Sequence, residues 1–351
     1  MDVLGLTFDE LVQRVQPRAH EVKPLRAVYR ALVRGEPVPA AARAAVRGAV
    51  DLEAHVPPEV RRLVEGDLVK FVQRTHDDLE IESVVVPMQR SVGVWRTLCV
   101  SSQVGCARGC VFCQTGQLGL LRNLTPAEIV GQVTAARRAC HGHVRNVVFM
   151  GMGEPLDNYD NVVHACRILM DPNGLSLAGE RLTISTVGRT AGIRKLARLG
   201  WRRLNLAISL NAPNDEIRSR IMPINRLEPM SELRAALLEY PLRRCQFFMI
   251  EYVLIPGVND AREHAREVAD YLRPLKSMLN VIPYNPRQDS PWRAPTEEET
   301  QRFLGWLEEA GQGCKRRLTK GRSQMAACGQ LGNRALRLRR SAAGPLSEFV
   351  A

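Results

Sequence analysis

Aromatic side chains are scarce in this chain of 351 residues: eight Phe, six Tyr and four Trp make up 5% of it. Few flat side chains are therefore on hand for stacking against bases. Long apolar runs are also missing. The longest, such as NVVFMGMG, fall far short of a membrane span, which excludes a helical membrane protein. The start, MDVLGLTFDELVQRV, carries acids where an export signal needs a basic region, and no long apolar core follows it. The expectation is a cytoplasmic protein without membrane association. No internal repeat or long low-complexity tract is present, which argues against a repeat array and against a disordered linker protein. Acids are outnumbered, 37 Asp and Glu against 49 Lys and Arg, for a net charge of +12. Such an excess favours polyanionic partners, because basic side chains displace condensed counterions from phosphate backbones.

What is present is enough for a large folded core. Hydrophobic residues make up 45% of the chain and charged residues 25%, and the length suggests two or three structural units. Residues 1–65 read as a helical, basic head (RAVYRALVRG, PAAARAAVRGAV), with Pro57-Pro58 as a break near its end. Residues 66–96 read as a β extension: LVKFVQRT, an acidic turn at Asp77-Asp78, then EIESVVVP form a hairpin pattern. From residue 97 to 310, six strand-like runs (TLCVSS, NVVFMGM, RLTISTVG, LNLAISL, FFMIEYVLIPG, LNVIPYNP) alternate with amphipathic stretches. One of these opens with a complete start signal: Thr125 as cap, Pro126 in the first helical position and Glu128 closing a capping box. Strands alternating with helices imply parallel βαβ units, hence an α/β barrel or an open doubly wound sheet. Residues 311–351 form a basic, less regular C-terminal extension.

Nine cysteines are an odd set for a disulfide framework, and three of them lie within eight residues, in CARGCVFC. In a chain without an export signal this points to metal or redox chemistry. Cys106, Cys110 and Cys113 follow the strand TLCVSS and precede the helix that starts near Thr125. Loops at the C-terminal ends of strands are where α/β barrels keep their chemistry. Three thiolates suit an iron–sulfur cluster or zinc. A structural zinc needs a fourth ligand, and the candidates, His141 and His143, lie far along the chain. Three ligands without a fourth leave one iron open to a small chelating molecule. One strand later, MGMGEP (Met150–Pro155) supplies a glycine turn whose backbone a ligand can approach closely.

CxxxCxxC after a strand, with Phe112 before its last cysteine, resembles the signature of radical S-adenosylmethionine (SAM) enzymes. The resemblance implies a partial (β/α)6 barrel, a 4Fe-4S cluster on Cys106, Cys110 and Cys113, and SAM bound to the open iron as the source of a 5′-deoxyadenosyl radical. The words TLCVSSQVGC, FCQTG, RNLTPAEIVGQV, MGMGEPLDN, LTISTVG, AISLNAPND, EYVLIPGVND, IPYNP and AACGQL follow in an order similar to that of the RlmN/Cfr family, over roughly residues 70 to 333. These enzymes methylate a ring carbon of adenosine in RNA. For this chain the resemblance implies that Cys328 is methylated by one SAM to S-methylcysteine. A second SAM then yields the radical that activates this methyl group, and Cys99 resolves the RNA adduct by forming a disulfide with Cys328. It further implies SAM contacts from Gly153, Glu154, Ser185, Ser209, Asn211 and Asn285, and Glu82 as proton acceptor. The covalent relay suits the chemistry, since an adenine C–H carbon is a poor nucleophile and direct polar transfer from SAM would fail. Cys140, Cys166, Cys245 and Cys314 match no role and are expected to be structural.

Three features depart from the family pattern. Leu120 stands where Phe is usual, Ser323 stands near a usually acidic place before AACGQL, and the head has Phe8 and Tyr29 but no Trp. The implied substrates are large-subunit ribosomal RNA and, second, transfer RNA, with carbon 2 favoured over carbon 8 because EYVLIPGVND and AACGQL read closer to the carbon-2 branch. An external electron donor such as a flavodoxin system is implied, and a monomer is expected. A repurposed radical enzyme acting on peptides would keep the three clustered cysteines without needing RNA. A basic RNA-binding protein bearing zinc or a cluster would need no relay pair.

Overall fold

The computed structural model describes residues 1–46, 52–90, 93–141, 144–287, 289–317, 321 and 325–333. His143 and Ser323 lie outside the described residues. The head is built from three helices, α1 (Phe8–Val15), α2 (Val22–Arg34) and α3 (Ala40–Ala45). Thr7 caps α1, and Glu10 closes its capping box, an arrangement that contributes about 1 kcal/mol. The apolar faces of α1 and α2 bury Phe8, Leu11, Leu25 and Tyr29. Both aromatic rings of the head are thus consumed by its core, 5.6 Å apart, and neither is free to stack on a ligand.

Strands β1 (Glu59–Glu65), β2 (Leu68–Arg74), β3 (Glu80–Arg90) and β4 (Gly93–Cys99) pair antiparallel in sequence. The hairpin expected from the pattern around Asp77-Asp78 is β2–β3. The helical reading of residues 1–65 is corrected at its end, because Glu59–Glu65 is a strand. Its outward charges and thin burial mark an edge strand, held to β2 through a turn at Gly66. A small ribbon follows, β5 (Gln103–Cys106) and β6 (Gly119–Asn123), enclosing the short helix α4 (Gln114–Leu118).

Beyond it the chain alternates helix and strand: α5 (Pro126–Ala139), β7 (Val144–Phe149), α6 (Tyr159–Met170), β8 (Leu182–Thr186), α7 (Thr190–Arg198) and β9 (Asn205–Ser209). It continues through α8 (Asp215–Ile221), α9 (Met230–Leu238), β10 (Phe248–Leu254), α10 (Arg262–Leu272), β11 (Ser277–Pro283), α11 (Glu297–Glu309) and β12 (Cys314–Arg316). Among the described residues, all strands join one ten-stranded sheet except the β5–β6 ribbon, and β4-β7-β8-β9-β10-β11-β12 run parallel. The first and last strands do not pair, so the fold is an α/β partial barrel. The six expected parallel strands are all present. A seventh, β12, lies in the stretch read as an irregular C-terminal extension.

The sheet's two faces differ in kind. Leu98, Val147, Phe149, Leu206, Ile208, Ile250 and Val281 are almost fully buried against the helices. The alternate residues, among them Thr97, Asn146, Asn205 and Asn280, are only half-buried and face a concave interior. Closed α/β barrels fill that interior with branched apolar side chains; here it is open, with Asn146, Asn205 and Asn280 set among apolar residues such as Trp95, Val148 and Met249. The head packs on the outer helical layer, where Thr134 of α5 donates to the Val33 carbonyl at 2.9 Å and the Phe8 amide donates to Asp171 at 2.6 Å. Among the described residues, no helix is long and apolar enough to cross a membrane.

Candidate active site

The cysteine loop leaves β5 at Cys106 and ends at Cys113, the residue before α4. The loop closes on itself through the Cys113 amide, which donates to the Cys110 carbonyl at 3.1 Å, and it is tied to α8 by the Val111 amide and the Ile221 carbonyl at 3.0 Å. The three thiols line one cavity. Burial pushes Cys106 up to about 12 and lifts Cys110 well above the ordinary thiol range, with Cys113 and Cys106 adding to the latter shift. Burial also raises Cys113, although amides of Gly116 and Thr115 offset part of it. Three thiols on one cavity wall are soft donors that fit an iron–sulfur cluster.

The cavity beside them is lined by Cys106, Cys110 and Cys113 and by residues from five successive strand ends, β7 to β11. After β7, Gly151 and Gly153 pass so close to the neighbouring loop that side chains are excluded. A Cβ on Gly151 would lie 2.6 Å from the Val100 carbonyl oxygen, and Gly153 has a φ of +102°. Glu154 is buried, accepts amide hydrogens of Leu156 (3.0 Å) and Val187 (2.9 Å), and has its carboxyl pushed up to about 7 by burial. Ser185 is the last residue but one of β8, and Ser209 ends β9. Asn211 follows in the left-handed region (φ +57°), with its side-chain oxygen taking the Val253 amide at 2.9 Å. Asn285, after β11, is buried with its side-chain oxygen facing no protein donor. An orphaned buried acceptor on a cavity wall fits a ligand that donates hydrogen bonds, as SAM does.

Cys328 reaches this cavity from the other end of the chain. Its segment is bolted down at several points: the Gln114 amide donates to the Gly329 carbonyl (2.7 Å), Thr115 to the Leu331 carbonyl (2.6 Å) and Gln330 to the Pro286 carbonyl (3.0 Å). Cys328 also lines a second, larger cavity, the barrel interior, which it shares with Cys99 at the end of β4. Burial pushes the Cys99 thiol up to about 12; the Cys328 thiol adds to this, and the Arg317 guanidinium works against it. Glu82 lies on neither cavity's wall. It is buried on β3, paired with Lys70 at 2.8 Å, and accepts the Gly332 amide at 2.9 Å, which ties it to the Cys328 segment.

Two residues at the junction of the cavities escaped the sequence reading. Glu251 of β10 is buried and accepts from Asn280 at 3.0 Å and from Arg317 at 3.2 Å. The Arg317 guanidinium faces Cys328, Glu251 and Cys99 together, which hold its positive charge. Glu251 stands inside the word EYVLIPG, but Arg317 sits in a basic run, CKRRLTK, that gives no local sign of burial. Of the four cysteines expected to be structural, Cys166 is fully buried, whereas Cys245 is exposed and contributes nothing to a core. His141 is exposed in the turn after α5, away from the cysteine loop.

Residues 100–272 match the family model described as the Radical SAM superfamily. The "Probable dual-specificity RNA methyltransferase RlmN 1" of Protochlamydia amoebophila is 47% identical over 79% of this chain and 76% of its own length. The "Dual-specificity RNA methyltransferase RlmN" of Geobacter sulfurreducens is 38% identical over 98% of this chain and 95% of its own. Among solved structures, a radical SAM methyltransferase from Sphaerobacter thermophilus superposes with a TM-score of 0.85 at 37% identity, covering 94% of this chain and 98% of that one. With that fold, a three-thiol loop at the barrel rim and likeness along nearly its whole length, the chain belongs to the RlmN family of radical SAM methyltransferases, enzymes that use a 4Fe-4S cluster and SAM.

Proposed function

We propose that this enzyme methylates a ring carbon of adenosine, carbon 2, in large-subunit ribosomal RNA and also in transfer RNA, by way of a methyl group carried on Cys328. The observation that carries this reading is the position of Cys328 on the walls of both cavities. One cavity holds the three-thiol loop and the other holds Cys99, so a methyl on the Cys328 sulfur borders both. The relatives named as dual-specificity RNA methyltransferases and the chain's excess of basic residues support an RNA substrate.

Cys106, Cys110 and Cys113 hold the cluster, and Gly153, Glu154, Ser185, Ser209, Asn211 and Asn285 hold SAM. When bound, the pair supplies first a methyl electrophile and then, after one-electron reduction by an external donor such as a flavodoxin, a hydrogen-abstracting radical. Cys328 accepts the methyl on its sulfur. Arg317 faces both thiols, and its charge works against the burial that raises Cys99. Glu82 accepts the proton lost from the ring carbon, and its bond to the Gly332 amide keeps it beside the Cys328 segment. Cys99 attacks the Cys328 sulfur to release the methylated base, leaving a disulfide to be reduced. The head, residues 1–65, assists RNA recognition, and the enzyme works as a cytoplasmic monomer.

The test is direct. The cluster-loaded protein is incubated anaerobically with SAM, and its peptides are mapped by mass spectrometry. A gain of one methyl on Cys328, abolished in Cys328→Ala, is expected, followed by methyladenosine in RNA digests. A Cys328 that stays unmodified beside a cluster that cleaves SAM would exclude the relay.

A further inference from the structure

The hairpin β2–β3 lies outside the strand–helix repeat of the barrel, and the methyl relay draws on it for Glu82 alone. Yet it carries a buried ion pair. The Lys70 ammonium on β2 and the Glu82 carboxylate on β3 stand 2.8 Å apart, with side chains 4% and 3% exposed. They sit diagonally across the hairpin, since Lys70 pairs with Val84 and Val72 with Glu82. Burying two charges costs much of what their attraction returns, so such a pair is a poor source of stability by itself. The second bond made by each partner is more informative. Lys70 donates to the Met325 carbonyl at 2.9 Å, and Glu82 accepts the Gly332 amide at 2.9 Å. Met325 precedes Cys328 and Gly332 follows it, so the pair holds the Cys328 segment from both flanks. Two outer contacts extend the grip: Glu65 of β1 accepts the Gly321 amide at 3.3 Å, and Glu80 of β3 accepts from the Asn333 side chain at 3.0 Å. Ala326 and Leu331 join Leu68 and Val84 in one apolar cluster.

The segment has no regular structure to place it. Residues 325–333 form neither helix nor strand, and Cys328 is exposed. Met325 stands in the left-handed region, at a φ of +49°. A non-glycine residue stays there only where its surroundings fix it, and here its carbonyl takes the Lys70 ammonium. A neutral side chain is no substitute for Lys70. The bridge needs one group that donates to a carboxylate and to a carbonyl and also balances the carboxylate's charge. We infer that the β extension is the seat of the Cys328 segment and that Lys70 is a positioning residue of the relay. By bridging Glu82 and Met325, it fixes the Cys328 sulfur where the two cavities meet. This rests on the methyl-relay reading and adds to it the device that sets the sulfur's place. Rates fall steeply when a reacting atom is displaced by even a small distance, so loss of the bridge should be felt at Cys328 before it is felt at the cluster.

The experiment uses the full-length, cluster-loaded enzyme under anaerobic conditions and has two readouts. One is the rate at which SAM methylates Cys328, followed by peptide mass spectrometry. The other is hydrogen exchange in residues 325–333. Methylation of Cys328 precedes any contact with RNA, so it is separate from the proton-accepting part given to Glu82. Lys70→Met is expected to slow methylation about thirtyfold and to speed exchange of the segment about tenfold. Iron content and reductive SAM cleavage should stay within about twofold of wild type, because the cluster loop is held by other contacts. If Lys70→Met loses its iron, Lys70→Gln takes its place; it keeps a donor without the charge, and about tenfold slower methylation is expected. Lys70→Glu with Glu82→Lys restores opposite charges, but it sets an acceptor against the Met325 carbonyl and a donor against the Gly332 amide. Methylation should stay as slow as in Lys70→Met. A charge-swapped enzyme that methylates at the wild-type rate would show that the pair serves stability alone. Unchanged methylation in a folded Lys70 variant would overturn the positioning role whatever the exchange shows. A wild-type Cys328 that stays unmodified, in a segment whose exchange still responds to Lys70→Met, would overturn the relay and leave the seat in place.

Discussion

The two ends of the barrel are built on opposite principles. At the C-terminal rim, polar groups are few, fixed and carried by backbone: Glu154 is held by two amides, Asn211 by one, and Gly151 leaves no room for a side chain. At the N-terminal mouth, long arginines from separate strand starts stand in solvent, and Arg203 is 63% exposed. The rim suits a small ligand whose atoms must be placed to a fraction of an ångström. The mouth suits a polyanion met by many adjustable charges. Rigidity and reach are thus separated along one axis, with Cys328 between them.

The largest effects should come from the rim. Cys113→Ala is expected to lower bound iron at least tenfold and abolish reductive SAM cleavage, measured by iron assay and by release of 5′-deoxyadenosine. A variant that kept its iron and cleaved SAM would mean that the loop is not the cluster's seat, and the contrast between the ends would lose its basis. Gly151→Ala comes next. Its Cβ would press on the Val100 carbonyl, so a loss of about 2–3 kcal/mol in urea unfolding is expected, together with at least a tenfold loss of SAM affinity by calorimetry. Full stability with normal SAM binding would show that the rim yields more than its packing suggests.

The smallest effect tests the ion-pair network that ties the β2–β3 turn to the rim. Arg122 joins Asp77 at 2.6 Å and Glu128 at 2.8 Å. Its guanidinium, hydrogen-bonded to Asp77, holds that carboxyl well below the usual carboxylate range. A depressed carboxylate contributes stability above its unfolded pKa, near 4, and loses it as pH falls further. Arg122→Ala should therefore cost about 1 kcal/mol at pH 7, where the partly exposed network is screened by solvent. The gap between variant and wild type should shrink when unfolding is measured below pH 4. A gap that stayed constant with pH would assign the effect to lost packing instead.

Much of the rim was legible because its chemistry is written in short words. CARGCVFC, MGMGEP and LTPAEIV each combine ligands, turn residues or cap residues at fixed local spacing, and each forms its expected local element. The six parallel strands were legible for a similar reason, since buried apolar runs bounded by helix signals follow from period alone. The failures have a common cause in long-range pairing. Glu59–Glu65 looked helical by composition and became a strand because β2 offered it an edge. Cys314–Arg316 looked like a tail and completed the sheet because β11 offered another.

By itself the sequence determined the alternation of strands and helices, the three-thiol loop and the glycine turn, because each depends on neighbours within a few residues. Only the tertiary structure decided that Cys99 and Cys328, far apart in the chain, share one cavity wall. It alone buried Glu251 against Arg317 and gathered four arginines from two loops around one depression. The reason is physical: a side chain's partners across a sheet are set by strand order and register. Those are settled by the packing of the whole core rather than by any local run of residues.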